Sequence, residues 1–193
     1  MKRNERIISL ENGDWLSVTE DRPDIPSKAT VIFCHGLSGD KVGPQKLLTL
    51  LSSKISSCSS VRVLRFDFRG SGLSSGAFLN TSLDMMIREA VFIADNLTSD
   101  LETVIWMGFS TGSLIALIAS ALRKKNERVV AISNGFTEEI SFLGAEDVVS
   151  IRDGQFFLPK TYFLEREKLQ PRKNFFPFCS KIDCILAVEL RLG

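Results

Sequence analysis

Residues 104–118 read Val-Ile-Trp-Met-Gly-Phe-Ser-Thr-Gly-Ser-Leu-Ile-Ala-Leu-Ile. An apolar run of strand length enters Gly108-Phe109-Ser110-Thr111-Gly112, and an apolar run of helix length leaves it. This is a G-x-S-x-G pattern set between a strand and a helix. So sharp a turn holds the serine backbone in a strained conformation. Glycines two residues before and two after let strand and helix approach closely. Ser110 is expected at the C-terminal end of the strand, over the first turn of the helix. That helix end offers free N–H groups and a partial positive charge, which suit a developing oxyanion. Ser110 is therefore the candidate nucleophile. Five residues alone fit a plain Ser/Gly turn equally well; the two flanks favour the chemical reading.

The chain has 193 residues, enough for one domain with a substantial core. Its 24 basic and 23 acidic residues leave a net charge of +1, which speaks against nucleic-acid binding by bulk electrostatics. No uninterrupted apolar run approaches the roughly 18 residues of a membrane span. The charged start, Met1-Lys2-Arg3-Asn4-Glu5-Arg6, lacks the apolar segment of a signal peptide. Cys34, Cys58, Cys179 and Cys184 are scattered, as reduced thiols of a cytoplasmic protein would be. With His35 as the single histidine, a His-rich metal site is excluded. There is no phosphate loop, metal-ligand spacing or dinucleotide fingerprint, so no cofactor and no metal is expected.

Two short apolar runs flank Asn12-Gly13, a hairpin signal. Residues 21–28, with Pro23 and Pro26, read as a loop, and Ala29–Cys34 as a buried strand. A helix is expected from about Pro44 to Ile55, then a Ser-Ser-Cys-Ser-Ser linker, then a strand from Val61 to Phe68. Arg69–Gly76 is a Gly/Ser loop. Leu83, Met86, Ile87, Ala90, Val91, Ala94 and Leu97 fall at helical spacing behind a Ser82 or Thr81 cap. The helix after Ser110 runs to about Lys125, and Val129–Ser133 and Ile182–Leu190 read as further strands. Strands alternating with helices after a hairpin indicate an α/β fold with a mostly parallel sheet and helices on both faces. Between Phe136 and Phe178 the pattern weakens and aromatics gather, either as a cap over the strand ends or as core of irregular helices.

Three motifs together resemble the α/β-hydrolase superfamily, and within it small esterases related to serine aminopeptidases and cinnamoyl or feruloyl esterases. They are Cys34-His35-Gly36-Leu37-Ser38-Gly39-Asp40-Lys41-Val42-Gly43-Pro44, Leu64-Arg65-Phe66-Asp67-Phe68-Arg69-Gly70-Ser71-Gly72-Leu73-Ser74, and the turn around Ser110. The resemblance implies one domain over 1–193, with a core of 1–135 and 180–193 and a cap of 136–179. It implies Ser110 as nucleophile, with the backbone N–H groups of Leu37 and Thr111 as the oxyanion hole. Losing one such donor costs about 2.7–4 kcal/mol of transition-state stabilisation. His35, Gly36, Asp67, Arg69, Gly70, Gly108 and Gly112 match structural positions of the motifs. The first shapes the oxyanion loop; Asp67 and Arg69 belong to a turn held by Asp–backbone and Arg–Asp contacts.

In this fold the order is Ser, then acid, then His. His35 lies upstream of Ser110, so it does not match the base. After Ile182-Asp183-Cys184-Ile185-Leu186-Ala187-Val188 the family continues with its acid and histidine; here the residues are Glu189-Leu190-Arg191-Leu192-Gly193. Asp147, Asp153 and Asp183 do not match the acid position, and Glu189 matches it poorly. The expectation is a C-terminally incomplete domain, lacking the last strand and helix, marginally stable and nearly inactive. Three functions stay open: a serine hydrolase of carboxylic esters, taking a small acyl ester; a non-catalytic binding protein on the same fold; or a thioesterase, amidase, peptidase or acyltransferase.

Overall fold

The first hairpin is where the sequence signal places it. In the computed structural model, which describes residues 1–123, 125, 127–132 and 147–169, strand β1 (Lys2–Ser9) pairs antiparallel with β2 (Trp15–Arg22). The turn closes through Leu10 N–H to Asp14 O at 2.8 Å, with Gly13 at φ 85°. Next come β3 (Ala29–Cys34), α1 (Leu47–Cys58), β4 (Val61–Phe66), α2 (Leu83–Leu97), β5 (Thr103–Phe109), α3 (Thr111–Arg123) and β6 (Arg128–Ile132). A second hairpin, β7 (Val148–Ile151) and β8 (Phe156–Pro159), leads into α4 (Lys160–Leu169).

The main sheet has the order β1-β2-β4-β3-β5-β6. β4, β3, β5 and β6 are parallel, and β2 joins β4 antiparallel. Alternation along β3 sorts the two faces. Ile32 and Cys34 point into the larger core with Leu64, Phe66, Trp106 and the apolar sides of α2 and α3. Val31 and Phe33 point the other way, to Val63 and to Leu48 of α1. Helices thus cover both faces. No helix among the described residues is long and apolar enough to cross a membrane.

Several boundaries differ from the sequence reading. The expected helix from Pro44 opens as a 3₁₀ turn over Pro44–Lys46, because Gln45 (φ 49°) and Lys46 (φ 64°) are left-handed and break the helical path. α1 then continues to Cys58, through most of the expected linker. Its serines are used: the Ser56 hydroxyl donates to Asp21 O at 3.0 Å, and the Ser52 hydroxyl donates to the Asp21 carboxylate. β4 stops at Phe66, two residues short, because the Asp67 carboxylate is drawn into the loop described below. α2 begins where the periodicity places it, with the Ser82 hydroxyl accepting from Met85 N–H at 3.1 Å. The Glu165 carboxylate of α4 accepts from Leu83 N–H at 2.8 Å and adds negative charge at the same helix end.

Strand β2 is buried along Leu16–Asp21, acidic residues included. Glu20 accepts from Arg62 at 2.9 Å and faces Arg22 at the same distance; Arg62 also donates to Glu102 at 2.7 Å. Asp21 is held by Arg3 at 2.6 Å. Burial raises both carboxyl pKa values, and the arginine hydrogen bonds more than reverse it, so both stay below the ordinary carboxylate range.

Of residues 136–179, hairpin β7–β8 and α4 are described. Leu158, Tyr162 and Phe163 are buried in the larger core, while Phe157 is exposed. Phe156 meets Phe78 edge-on, ring centroids 5.2 Å apart. Phe175, Phe176, Phe178, Asn134-Gly135, Asp183, Glu189 and the strand expected over Ile182–Leu190 lie outside the described residues.

Candidate active site

The turn between β5 and α3 is as strained as the sequence implies. Ser110 has φ 52°, a left-handed conformation that costs a non-glycine residue about 1–2 kcal/mol. It is held by two backbone hydrogen bonds of 2.9 Å, Ser110 N–H to Ile132 O and Ser113 N–H to Ser110 O. The Ser113 hydroxyl donates to Gly108 O at 2.8 Å and ties the helix back to the strand. The flanking glycines are required by close approach. A Cβ on Gly108 would lie 2.2 Å from Gly112 O. One on Gly112 would lie 2.0 Å from Cys34 O and 2.6 Å from His35 O. The loop after β3 thus rests directly on the helix that follows Ser110.

That contact puts the candidate groups together. Ser110 is half-buried and lines a cleft of about 430 Å³ with Gly36, Leu37, Ser38, Phe109, Phe78 and Phe156. A Cβ on Gly36 would lie 3.3 Å from Ser110 Cβ. Among the described residues, nothing accepts from the N–H of Leu37 or of Thr111, the first residue of α3. Two donors unused among the described residues and a helix N-terminus beside the half-buried Ser110 form an arrangement that is able to stabilise negative charge on a carbonyl oxygen.

His35 is placed elsewhere. It is 1% exposed, its Nε2 accepts from Phe68 N–H at 3.1 Å, and its Nδ1 lies 2.8 Å from Gly36 O. Since Nε2 accepts, the proton is on Nδ1 and donates to Gly36 O: the ring is neutral and both nitrogens are occupied. The imidazole clamps the oxyanion loop to the loop after β4. Burial pushes its pKa below the ordinary 6.5, against the opposing Gly36 hydrogen bond and Asp67 charge. The unfolded chain takes up a proton near pH 6.5 and the folded one resists it. The clamp's stabilisation is therefore complete above about pH 6.5 and is lost as pH falls below it, at up to about 1.4 kcal/mol per pH unit. Urea titrations at pH 7.5 and pH 5.5 are expected to show a lower midpoint at the acid pH. In His35→Gln that difference is expected to shrink.

Asp67 is the hub of the neighbouring loop. Its carboxylate accepts from Lys41 N–H and Lys41 Nζ, both at 2.6 Å, and from Leu73 N–H at 3.0 Å. The Lys41 ammonium also donates to the Ser17 hydroxyl at 2.9 Å. Arg69 finds its aspartate across the first hairpin: it donates to Asp14 at 2.8 Å and to Glu89 of α2 at 2.5 Å. Burial raises the Glu89 carboxyl above its ordinary range despite Arg69. Gly70 N–H donates to Ser75 O at 2.7 Å, and Trp15 Nε1–H donates to Leu73 O at 3.2 Å. The loop lining one side of the cleft is thereby pinned to the hairpin. The sequence gives no role to Lys41, Glu89, Phe78 or Arg152, and Phe156 stands in it only as one of the aromatics gathered between Phe136 and Phe178. Lys41 and Glu89 look like surface charges until their distant partners are known.

Comparison with known proteins follows from this geometry. Residues 29–148 match the family model described as alpha/beta hydrolase fold. No curated protein matches the chain by sequence. Among solved structures, Est1E from Butyrivibrio proteoclasticus, determined with ferulic acid bound, has 17% identity and a TM-score of 0.76. That likeness covers 95% of this chain and 88% of that one. Mouse alpha/beta hydrolase domain-containing protein 10 has 18% identity and a TM-score of 0.67, covering 86% and 70%. The Pyrococcus furiosus esterase Pf2001 has 26% identity and a TM-score of 0.53, covering 70% and 53%. The match over residues 29–148, on a sheet and elbow of this form, makes the chain a member of the alpha/beta hydrolase fold family.

Proposed function

We propose that the chain is a serine hydrolase of carboxylic esters, with Ser110 as nucleophile. The observation that carries this reading is the left-handed Ser110 (φ 52°) opening on a cleft beside the unused N–H groups of Leu37 and Thr111. Ser110 Oγ would bond to the ester carbonyl carbon while the two N–H groups hold the oxygen as it gains charge. The carbon–oxygen bond to the alcohol then breaks, and the alcohol leaves with the proton. Water attacks the acyl-serine, releases the acid and restores the hydroxyl. Residues 136–179 would act as a cap, a role supported by Phe156 and Arg152 on the rim of the cleft. Free thiols at Cys34 and Cys58 support a reducing, cytoplasmic setting.

A serine needs a proton acceptor, and both ring nitrogens of His35 are engaged, by Gly36 O and by Phe68 N–H. Were no base supplied, catalysis would fall to what the oxyanion donors and binding supply, about 10³–10⁴ over water in the serine-protease template. That same observation supports a second reading, a hydrolase-fold protein that binds acyl compounds without turnover. A fluorophosphonate probe separates them. Labelling is expected in the wild type, slow where Ser110 lacks a base, and lost in Ser110→Ala; equal labelling of both would remove Ser110 from the mechanism. Saturable ester binding with no labelling and no turnover would establish the binding reading instead.

A further inference from the structure

The cleft around Ser110 is apolar along Leu37, Phe78, Phe109 and Phe156, and it carries two charges, Asp40 and Arg152. The two are not equivalent. Asp40 Oδ1 accepts from Val42 N–H at 2.8 Å and Gly43 N–H at 3.1 Å, so it is used in holding its own turn. The Arg152 guanidinium has no ion pair or hydrogen bond with any described residue. Its backbone is nevertheless fixed. It follows the last pair of the β7–β8 register, Ile151 opposite Phe156, and Arg152 O accepts from Gln155 N–H at 3.1 Å. Phe156 in turn is seated on Phe78. An anchored loop therefore holds, at the rim of the cleft, a cation that pairs with no described residue, while the Asp40 carboxylate is engaged by the backbone donors of its own turn. The unused N–H groups of Leu37 and Thr111 add to the positive potential of the same space.

We propose that Arg152 is a specificity-determining residue that selects acyl compounds carrying a free carboxylate beyond the scissile carbonyl, as in a half-ester of a dicarboxylic acid. The inference rests on the reading of this cleft as the acyl site, but not on Ser110 being reactive. A planar guanidinium matches a carboxylate in a two-point hydrogen-bonded pair. Because Arg152 is exposed, the discrimination is modest, about two- to fivefold, the range of a solvent-screened ion pair.

The test is equilibrium binding by calorimetry with two stable amides that serve as ester mimics. One is N-phenyl glutaramate, with a terminal carboxylate; the other is the same molecule with a terminal carboxamide. Wild type is expected to prefer the carboxylate by about two- to fivefold, and the preference should fall as salt rises from about 0.05 to 0.5 M. Arg152→Gln is expected to bring the ratio to about one, and Arg152→Lys to retain part of it. The preference is expected to persist in Ser110→Ala, where fluorophosphonate labelling is lost, so the two ideas fail separately. Equal binding of the two amides, binding of neither, or a preference unchanged in Arg152→Gln would overturn the assignment.

Discussion

Gly112→Ala is expected to destabilise the fold by at least about 3 kcal/mol, a large share of the roughly 5–15 kcal/mol that holds an ordinary domain, and to lower the soluble yield on expression. A single methyl group has this effect because of what surrounds it. The added Cβ would lie 2.0 Å from Cys34 O and 2.6 Å from Cys34 C and His35 O, all backbone atoms. No rotamer change relieves a clash with a peptide group. Either α3 must move away from the end of β3, or the oxyanion loop must. The first breaks the packing of buried Leu114, Ile115 and Ile118 against the sheet; the second strips His35 of its Gly36 and Phe68 partners. Thermal unfolding followed by circular dichroism, with soluble yield, reads the effect directly. A transition within a few degrees of wild type would mean that this approach is looser than described.

Lys41→Met is expected to cost about 3 kcal/mol or more, read as a fall in the urea midpoint at constant slope. The Lys41 and Asp67 side chains are 7% and 1% exposed and lie 2.6 Å apart. Removing the ammonium leaves a buried carboxylate with two backbone donors and no compensating charge. The conservative change in size keeps packing similar, so the loss is electrostatic. Replacing both partners with apolar residues is expected not to restore stability fully. Asp67 also accepts from the Lys41 and Leu73 N–H groups, and these would be left unpaired. The same substitution should slow labelling of Ser110, since Lys41 and Asp67 join two walls of the cleft. A midpoint unchanged from wild type would show that solvent reaches the pair.

Much of this fold can be read from the order of residues because its signals are local. The run Val104–Phe109, the elbow glycines and the spacing of Leu83 to Leu97 each dictate a shape within one segment. The hairpin at Asn12-Gly13 is of the same kind. What could not be read was set by residues far apart in the chain. Glu20 closes the expected hairpin and Asp21 opens the expected loop, so neither reads as buried; they are buried because Arg62, 42 residues from Glu20, and Arg3 meet them there. Arg69 seemed destined for its neighbour Asp67, yet its partners come from positions 14 and 89. The late start of α1 depends on left-handed Gln45 and Lys46, whose side chains give no reason for that conformation. The candidate site divides in the same way. Within its backbone part, Ser110 is implied by turn chemistry and Leu37 and Thr111 by the family resemblance; on its rim, Arg152 and Phe156 come from a segment of weak periodicity.

The pinning of the cleft loop to the first hairpin equips the molecule with a built-in optical reporter. The chain has 2 tryptophans. Trp106 is fully buried in the central strand, with its indole N–H on Glu127, and emits from a dry, fixed environment. Trp15 is 40% exposed, and its indole N–H holds Leu73 O in the loop whose Gly70, Ser71 and Gly72 line the cleft. The two rings thus emit at different wavelengths and answer to different events. The blue component follows the whole sheet, and the red, quencher-accessible component follows that single loop as the cleft fills or empties.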